Sequence, residues 1–305
     1  MEILDTVLEE TLDPADWEAL RALGHRMLDD MINYLQTVRE RPVWQPVPEL
    51  VKQHLKSPLP LEPQDSGSVY QDFLDQVLPY PLGNIHPRFW GWVMGNGTPF
   101  GMLAEMLAAG FNPNMGGGNH VANYVEAQVI DWCKAMFDLP LEASGLLVSG
   151  GSMANLVGLA VARSTCAGFD VRKRGLVGAP RRLIVYASRE VHNSVQKAVE
   201  LLGLGSQALR LIPVDAEYRM DIPALEAAIA ADRQAGDQPL CIVGNAGTVN
   251  TGAIDDLDRL ADICEREKMW FHVDGAFWCH GCPFSRAAPC VKGHGAGRFP
   301  GLRSA

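Results

Sequence analysis

Leu240-Cys241-Ile242-Val243-Gly244-Asn245-Ala246-Gly247-Thr248-Val249-Asn250-Thr251-Gly252 is a short aliphatic run that ends in a polar, glycine-containing loop. An apolar run without alternation is the pattern of a strand covered on both faces. The same kind of run occurs on either side, at Leu146-Leu147-Val148, Leu183-Ile184-Val185-Tyr186, Leu209-Arg210-Leu211-Ile212 and Trp270-Phe271-His272-Val273. Helical stretches lie between these runs, at Ala154 to Arg163, Ser194 to Leu202, Ile222 to Arg233 and Leu257 to Lys268. Strands alternating with helices of this length predict parallel crossover units, so the middle of the chain reads as an open α/β sheet. In such sheets ligands sit outside the carboxyl ends of the strands.

Further toward the N-terminus, Asp13-Pro14 reads as an N-cap followed by proline at the first helical position. Trp17, Leu20, Met27, Met31 and Leu35 then recur at helical spacing, up to a stop at Arg41-Pro42. Six prolines (42, 46, 48, 58, 60 and 63) make the stretch from Pro42 to Gly67 an extended connector. The apolar stripe of the first helix must be buried against something, either a partner subunit or the chain's own body.

Composition narrows the function classes. The 305 residues are 47% hydrophobic and 20% charged, which fits one large or two ordinary globular domains. A formal net charge of −10 argues against nucleic acid or an anionic membrane as the main partner. There is no apolar run of membrane-spanning length, and Met1-Glu2-Ile3-Leu4-Asp5 is acidic where a signal peptide is basic. Seven scattered cysteines do not form a disulfide framework, so a reducing, cytoplasmic setting is expected.

The strand ends carry the candidate chemistry. Ser149-Gly150-Gly151-Ser152-Met153-Ala154-Asn155 follows the first run and opens a helix. Small residues and a helix N-terminus suit a phosphate, and Ser152 adds a hydroxyl; the plain alternative is a turn and cap. His192 starts the helix after the second strand, where it serves either as a cap or as a working imidazole. Thr248 offers a hydroxyl in the loop after the fourth strand, which could equally be an ordinary connection. Asp274, directly after the last strand, is a poorly solvated carboxylate that calls for a cationic partner: a protonated pyridine nitrogen, a metal or an arginine. Phosphate cradle, imidazole, hydroxyl and carboxylate together are what a phosphorylated pyridine aldehyde requires.

These residues belong to a wider set of stretches in order: His86-Pro87-Arg88-Phe89, Gly101 to Leu107, Glu126 to Trp132, Ser149 to Asn155, Val191 to Val195, Gly247 to Asp255 and His272 to Ala276. Through them the chain resembles the group II pyridoxal-phosphate-dependent amino-acid decarboxylases, whose members include aromatic-L-amino-acid, glutamate and sulfinoalanine decarboxylases. The resemblance implies the aspartate-aminotransferase-like fold (fold type I), with residues 1–79 as a helical arm and connector and residues 80–277 as an incomplete large domain. It also implies a homodimer, pyridoxal 5'-phosphate as cofactor and an L-amino acid as substrate, aromatic before acidic. By position, Gly151 and Ser152 fall where the family holds the cofactor phosphate, His192 where an imidazole stacks on the pyridine, and Thr248 near the cofactor. Asp274 matches the acid that pairs with the ring nitrogen, and Ala276 the small residue beneath the ring. His86 and Phe89 lie in the segment that lines the substrate side. His192 is the catalytic candidate, since an imidazole there could also move a proton.

The pattern stops after Phe277. The family's Schiff-base lysine lies on a His-Lys dipeptide beyond the aspartate, and no such dipeptide occurs here. Trp278 to Ala305 holds none of the 36 acidic residues, five of the glycines, three of the seven cysteines and one lysine, Lys292 in Val-Lys-Gly. Such a tail reads as out of family, as a shifted reading frame would produce, with the C-terminal small domain missing. Cys279, Cys282, Cys290 and His294 have the residue types of a zinc site, but no strand or helix pattern frames them, so no metal is expected. The chain is therefore expected to be a decarboxylase by family and inactive as given. The competing expectations are another fold-type-I enzyme, such as a transaminase, and a non-catalytic remnant or partner subunit.

Overall fold

The computed structural model describes residues 11–277 except 12 and 138. The chain divides into two compact units, Met1–Pro113 and Asn114–Ala305.

In the first unit, α1 spans Trp17–Gln36, α2 Glu49–His54, α3 Ser66–Asp72 and α4 Pro99–Phe111. The expected cap at Asp13 is corrected to Asp16, whose carboxylate accepts from the amides of Glu18 and Ala19 at 2.9 and 3.0 Å. It thereby satisfies two of the amides that a helix start leaves without partners. The connector is also less extended than its prolines suggest. Residues 49–57 contain no proline, and α2 forms there, directly behind Pro48. Within this unit the Tyr70 hydroxyl donates to Asp30 at 2.8 Å and ties α3 to α1, while the Arg26 guanidinium lies over the Tyr70 ring. Of the α1 stripe, Trp17, Leu20 and Met27 are exposed.

In the second unit, α5 (Val121–Met136), α6 (Gly151–Cys166) and α7 (Val171–Arg174) precede a regular alternation. It runs β1 (Leu183–Ser188), α8 (Asn193–Leu201), β2 (Leu209–Ile212), α9 (Ile222–Gln234), β3 (Gln238–Asn245), α10 (Leu257–Glu267) and β4 (Trp270–Asp274). The four strands are all parallel, in the order β2-β1-β3-β4. This is the expected α/β class with a parallel sheet. The chain leaves β1 toward β2 and then returns to the other side of β1 at β3, which places a topological switch point between β1 and β3.

Two apolar layers hold the sheet. Leu183, Val185, Ala187, Cys241 and Val243 pack with residues of α6 and α8, including Leu159, Ala162, Val195 and Val199. Ile184, Tyr186, Ile242 and Phe271 face the other way, against Ile222, Leu225 and Ile229 of α9 and Leu260 and Ile263 of α10. Alternate residues of each strand thus serve opposite layers, and each fully buried aliphatic contributes about 1.5–3 kcal/mol. A register shift between Ile184 and Val185 leaves Leu240 as the extra residue, and Leu240 joins Cys241 in the first layer.

One expected strand is absent. Leu146-Leu147-Val148 has no regular secondary structure, and Leu146 and Leu147 are exposed. A strand needs a ladder partner, and here the Leu147 amide donates to the Glu126 carboxylate at 3.0 Å instead. The Gly151–Ser152 segment therefore opens α6 from a loop rather than from a strand end.

Candidate functional site

The carboxyl ends of β1, β3 and β4 end on Ser188, Asn245 and Asp274, with Asn245 in register with Asp274. Asn245 donates from its side chain to Ser188 Oγ at 3.1 Å and to Asp255 Oδ2 at 3.0 Å, and from its backbone to the same Oδ2 at 2.8 Å. Asp255 Oδ1 accepts the Met220 amide at 2.7 Å. Burial pushes the Asp255 carboxyl up, with the three N–H donors working against it. This buried network fixes the floor of the sheet edge and the return of the loop after β3.

The next layer forms on β4. His272 and Asp274 are two residues apart and therefore on one face of the strand. That face meets α6. Asn155, buried one turn into α6, donates from Nδ2 to Asp274 Oδ2 at 2.9 Å and to Ser194 Oγ at 3.0 Å. Both amide hydrogens are then committed, so its Oδ1, 2.7 Å from His272 Nε2, accepts a hydrogen from that ring. Burial pushes His272 down from 6.5, against the pull of the Asp274 charge, and keeps the ring neutral with its proton on Nε2. Gly158 of α6 makes room for it: a Cβ there would lie 2.5 Å from His272 Cε1.

His192 caps α8, its Nδ1 accepting the Ser194 amide at 3.3 Å and lying 2.8 Å from Ser194 Oγ. Because Nδ1 accepts and Ser194 Oγ already receives Asn155, the hydroxyl proton points to His192, whose own proton sits on Nε2. A continuous path of hydrogen bonds therefore joins His192 to Asp274 through Ser194 and Asn155.

The other expected residues fall as follows. Gly151 and Ser152 are the first two residues of α6, whose N-cap, Gly150, has φ +133° and provides no side-chain cap. Their amides precede the helical ladder, at the positive end of the helix. Thr248 is buried, and its hydroxyl pairs with Thr251 at 2.6 Å and receives the Ala253 amide, all within its own loop. The Ala276 amide turns back onto Asp274 Oδ1 at 3.2 Å. In the first unit, His86 is buried, with Nδ1 accepting the Arg88 amide at 3.0 Å, and the Phe89 ring covers Gly91. Cys279, Cys282, Cys290, His294 and Lys292 lie outside the described residues.

Asn155, Ser194 and His272 belong to this hydrogen-bond network and were not singled out from the sequence. Two signals pointed to them: the period of β4, which puts His272 beside Asp274, and a lone Asn facing inward from the otherwise apolar side of α6.

A family model described as the pyridoxal-dependent decarboxylase conserved domain matches residues 48–293. An aromatic-L-amino-acid decarboxylase from Bacillus atrophaeus is 33% identical over 264 residues, 85% of this chain and 53% of that protein. The glutamate decarboxylase domain of a Vibrio parahaemolyticus diaminobutyrate-pyruvate transaminase and L-2,4-diaminobutyrate decarboxylase superposes with a TM-score of 0.76 at 29% identity, covering 88% of this chain and 60% of that one. Oryza sativa TDC, solved with PLP and tryptamine, gives a TM-score of 0.77 at 25% identity over 92% of this chain and 60% of that one. The chain spans about half the length of the curated relatives it matches. Family model, relatives and fold converge, and the chain belongs to the pyridoxal-dependent decarboxylase family.

Proposed function

We propose that this chain is the cofactor-holding part of a decarboxylase that converts an L-amino acid to an amine and carbon dioxide with pyridoxal 5'-phosphate. The observation that carries the reading is the path from Asp274 through Asn155 and Ser194 to His192, laid along the first turn of α6.

The residues fit the cofactor. An ideal Cβ on Gly150 or Gly151 would meet no protein atom within 4 Å, so the backbone there can be approached closely by an anion. Ser152 lies three residues, about 4.5 Å along the axis, from Asn155, which holds Asp274 at 2.9 Å. A phosphate at one end and a ring nitrogen at the other suit that span. When bound, pyridoxal phosphate supplies the electron sink for the charge left on Cα as carbon dioxide departs.

In this reading Gly151 and Ser152 hold the phosphate with backbone amides and a hydroxyl, and Asp274 keeps the ring nitrogen protonated. His192 covers the ring plane and keeps a proton at Nε2. Thr248 and Ala276 would flank the ring. The working domain is 80–277, with 1–79 as an arm. The exposed Trp17, Leu20 and Met27 on α1 support a homodimer in which that arm covers a partner. The substrate class is aromatic amino acids before acidic ones, in line with the Bacillus relative. The setting is the cytoplasm, and no helix among the described residues is long and apolar enough to cross a membrane.

Titration of the purified chain with pyridoxal phosphate, followed by cofactor absorbance and tryptophan fluorescence, tests the reading. We expect saturable binding that Asp274→Ala weakens about 10- to 100-fold, the worth of one hydrogen bond to a charged group. No saturable binding, or equal affinity in the variant, overturns it.

A second reading is favoured by one observation, that no His-Lys dipeptide follows Asp274 in the sequence. In that reading the chain as given binds the cofactor non-covalently, with free-aldehyde absorbance, and does not decarboxylate. Borohydride trapping of the cofactor on Lys292 with steady carbon dioxide release would refute it. Product analysis separates decarboxylation from transamination, since only the former yields carbon dioxide and a primary amine.

A further inference from the structure

Resting on the cofactor reading above, we propose that Asn155 is the positioning residue of the site, one side-chain amide that fixes both Asp274 and His192. Asn155 and Ser194 are 5% and 2% exposed, so water does not substitute for the bonds between them. The amide has two hydrogens and uses both, one on Asp274 Oδ2 and one on Ser194 Oγ. Its oxygen receives the neutral His272 ring. Turning the amide over would set its oxygen against the Asp274 carboxylate and its NH2 against the His272 N–H. A single orientation therefore satisfies all three neighbours.

That orientation sets the polarity of everything attached to it. At Asp274, one oxygen takes the Asn155 hydrogen and the other the Ala276 amide, which locks the carboxylate plane while leaving lone pairs for a ring N–H. At Ser194, the hydroxyl receives Asn155 and passes its own proton to His192 Nδ1, so the imidazole presents Nε2–H. His272 in turn holds Asn155, and it can lie against α6 only because residue 158 is glycine. Asn155 does not touch the cofactor in this scheme. It acts through the two groups that do.

A double-mutant cycle on pyridoxal phosphate affinity, with a cofactor-free measurement beside it, tests the proposal. Asn155→Leu should weaken binding about 10-fold in the wild-type background and by a clearly smaller factor in Asp274→Ala, because the part of the effect that travels through Asp274 is lost there and only the part through His192 remains. A general loosening of the fold would weaken both backgrounds alike, and that result overturns the proposal. Wild-type binding that Asp274→Ala weakens but Asn155→Leu does not would also overturn it while leaving the cofactor reading standing. Absence of saturable binding in the wild type overturns the cofactor reading and this proposal with it.

Without cofactor, nitrogen-15 spectra of the histidine-labelled chain should show His192 in the Nε2–H form. In Asn155→Leu the released Ser194 hydroxyl can accept from Nδ1–H as well as donate to Nδ1, and only the long 3.3 Å bond from the Ser194 amide still favours the Nε2–H form, so an Nδ1–H population should appear beside it. An unchanged single tautomer contradicts the proposal. Should Asn155→Leu not fold, Asn155→Ala removes both donors without placing a charge beside Asp274, and is expected to give the same outcomes.

Discussion

Replacing Gly158 with alanine tests the packing on which the site rests. Gly158 lies inside α6, where alanine is intrinsically better than glycine by about 1 kcal/mol. Here the new Cβ would sit 2.5 Å from His272 Cε1 and 2.7 Å from Nδ1. Carbon contacts settle at about 3.5–4.0 Å, so the ring must retreat by about 1 Å. The ring is not a free side-chain tip: its Nε2 is bonded to Asn155 at 2.7 Å, and its backbone is paired with Val243 in β3. Overpacking costs about 1–3 kcal/mol and a buried N–H left unpaired about 1–3 kcal/mol. After the helix gain, Gly158→Ala should lose about 1–5 kcal/mol, and each kcal/mol lowers Tm by roughly 2–4 °C in a domain of this size. Gly24 in α1 is the control, since a Cβ there meets nothing within 4 Å. Gly24→Ala should gain about 0.5–1 kcal/mol in its own unit. Urea unfolding followed by circular dichroism measures both. If Gly158→Ala is as stable as the wild type or more so, His272 does not lie against α6 and the path from Asp274 to His192 loses its support.

Two further outcomes follow from the sheet. Asp232 accepts the buried Tyr186 hydroxyl at 2.9 Å and is forked by Arg210; burial first, and Asp232 second, push the Tyr186 phenol up. Asp232→Ala should cost about 2–3 kcal/mol in urea unfolding, discounted because Arg210 is partly exposed and also reaches Asp237; a loss below about 0.5 kcal/mol would contradict this account. His272 is pushed below 6.5 on folding, so below that pH the unfolded chain binds more protons than the native one and stability falls. The fall in the urea midpoint as pH drops below 6.5 should be shallower in His272→Gln, and equal slopes would assign the titration to another group.

The alternation of apolar runs and helical stretches was legible because the central strands β1 and β3 are buried along both faces, so their interiors are apolar, while β2 and β4 still carry enough apolar residues around Arg210 and His272 to show the same pattern. Leu146-Leu147-Val148 has the same composition and still forms no strand. Composition reports what a segment can bury, whereas a ladder depends on a neighbour that no local window contains. Asp13 was favoured over Asp16 because proline follows it, yet the cap is decided by which carboxylate reaches the amides of Glu18 and Ala19. In the site, Gly151, Ser152, His192 and Asp274 were legible as element ends. Asn155 was less legible, because it stands one turn inside α6 rather than at its end and its partner Asp274 is 119 residues away.

The hydrogen bond between Asn155 and Asp274 has a consequence for how the molecule comes into being. It closes a loop of 119 residues, and every ladder in the sheet joins strands separated by at least one helix-length crossover. Such contacts give up chain entropy long before they gain binding energy, which makes parallel topologies slow to assemble. Asn155 can meet Asp274 only after β1, β3 and β4 have been laid side by side in register, since β4 joins the described sheet only through β3. The Asn155–Asp274 bond is therefore native only while β4 stays paired with β3, which ties the candidate site to the integrity of the sheet's last strand.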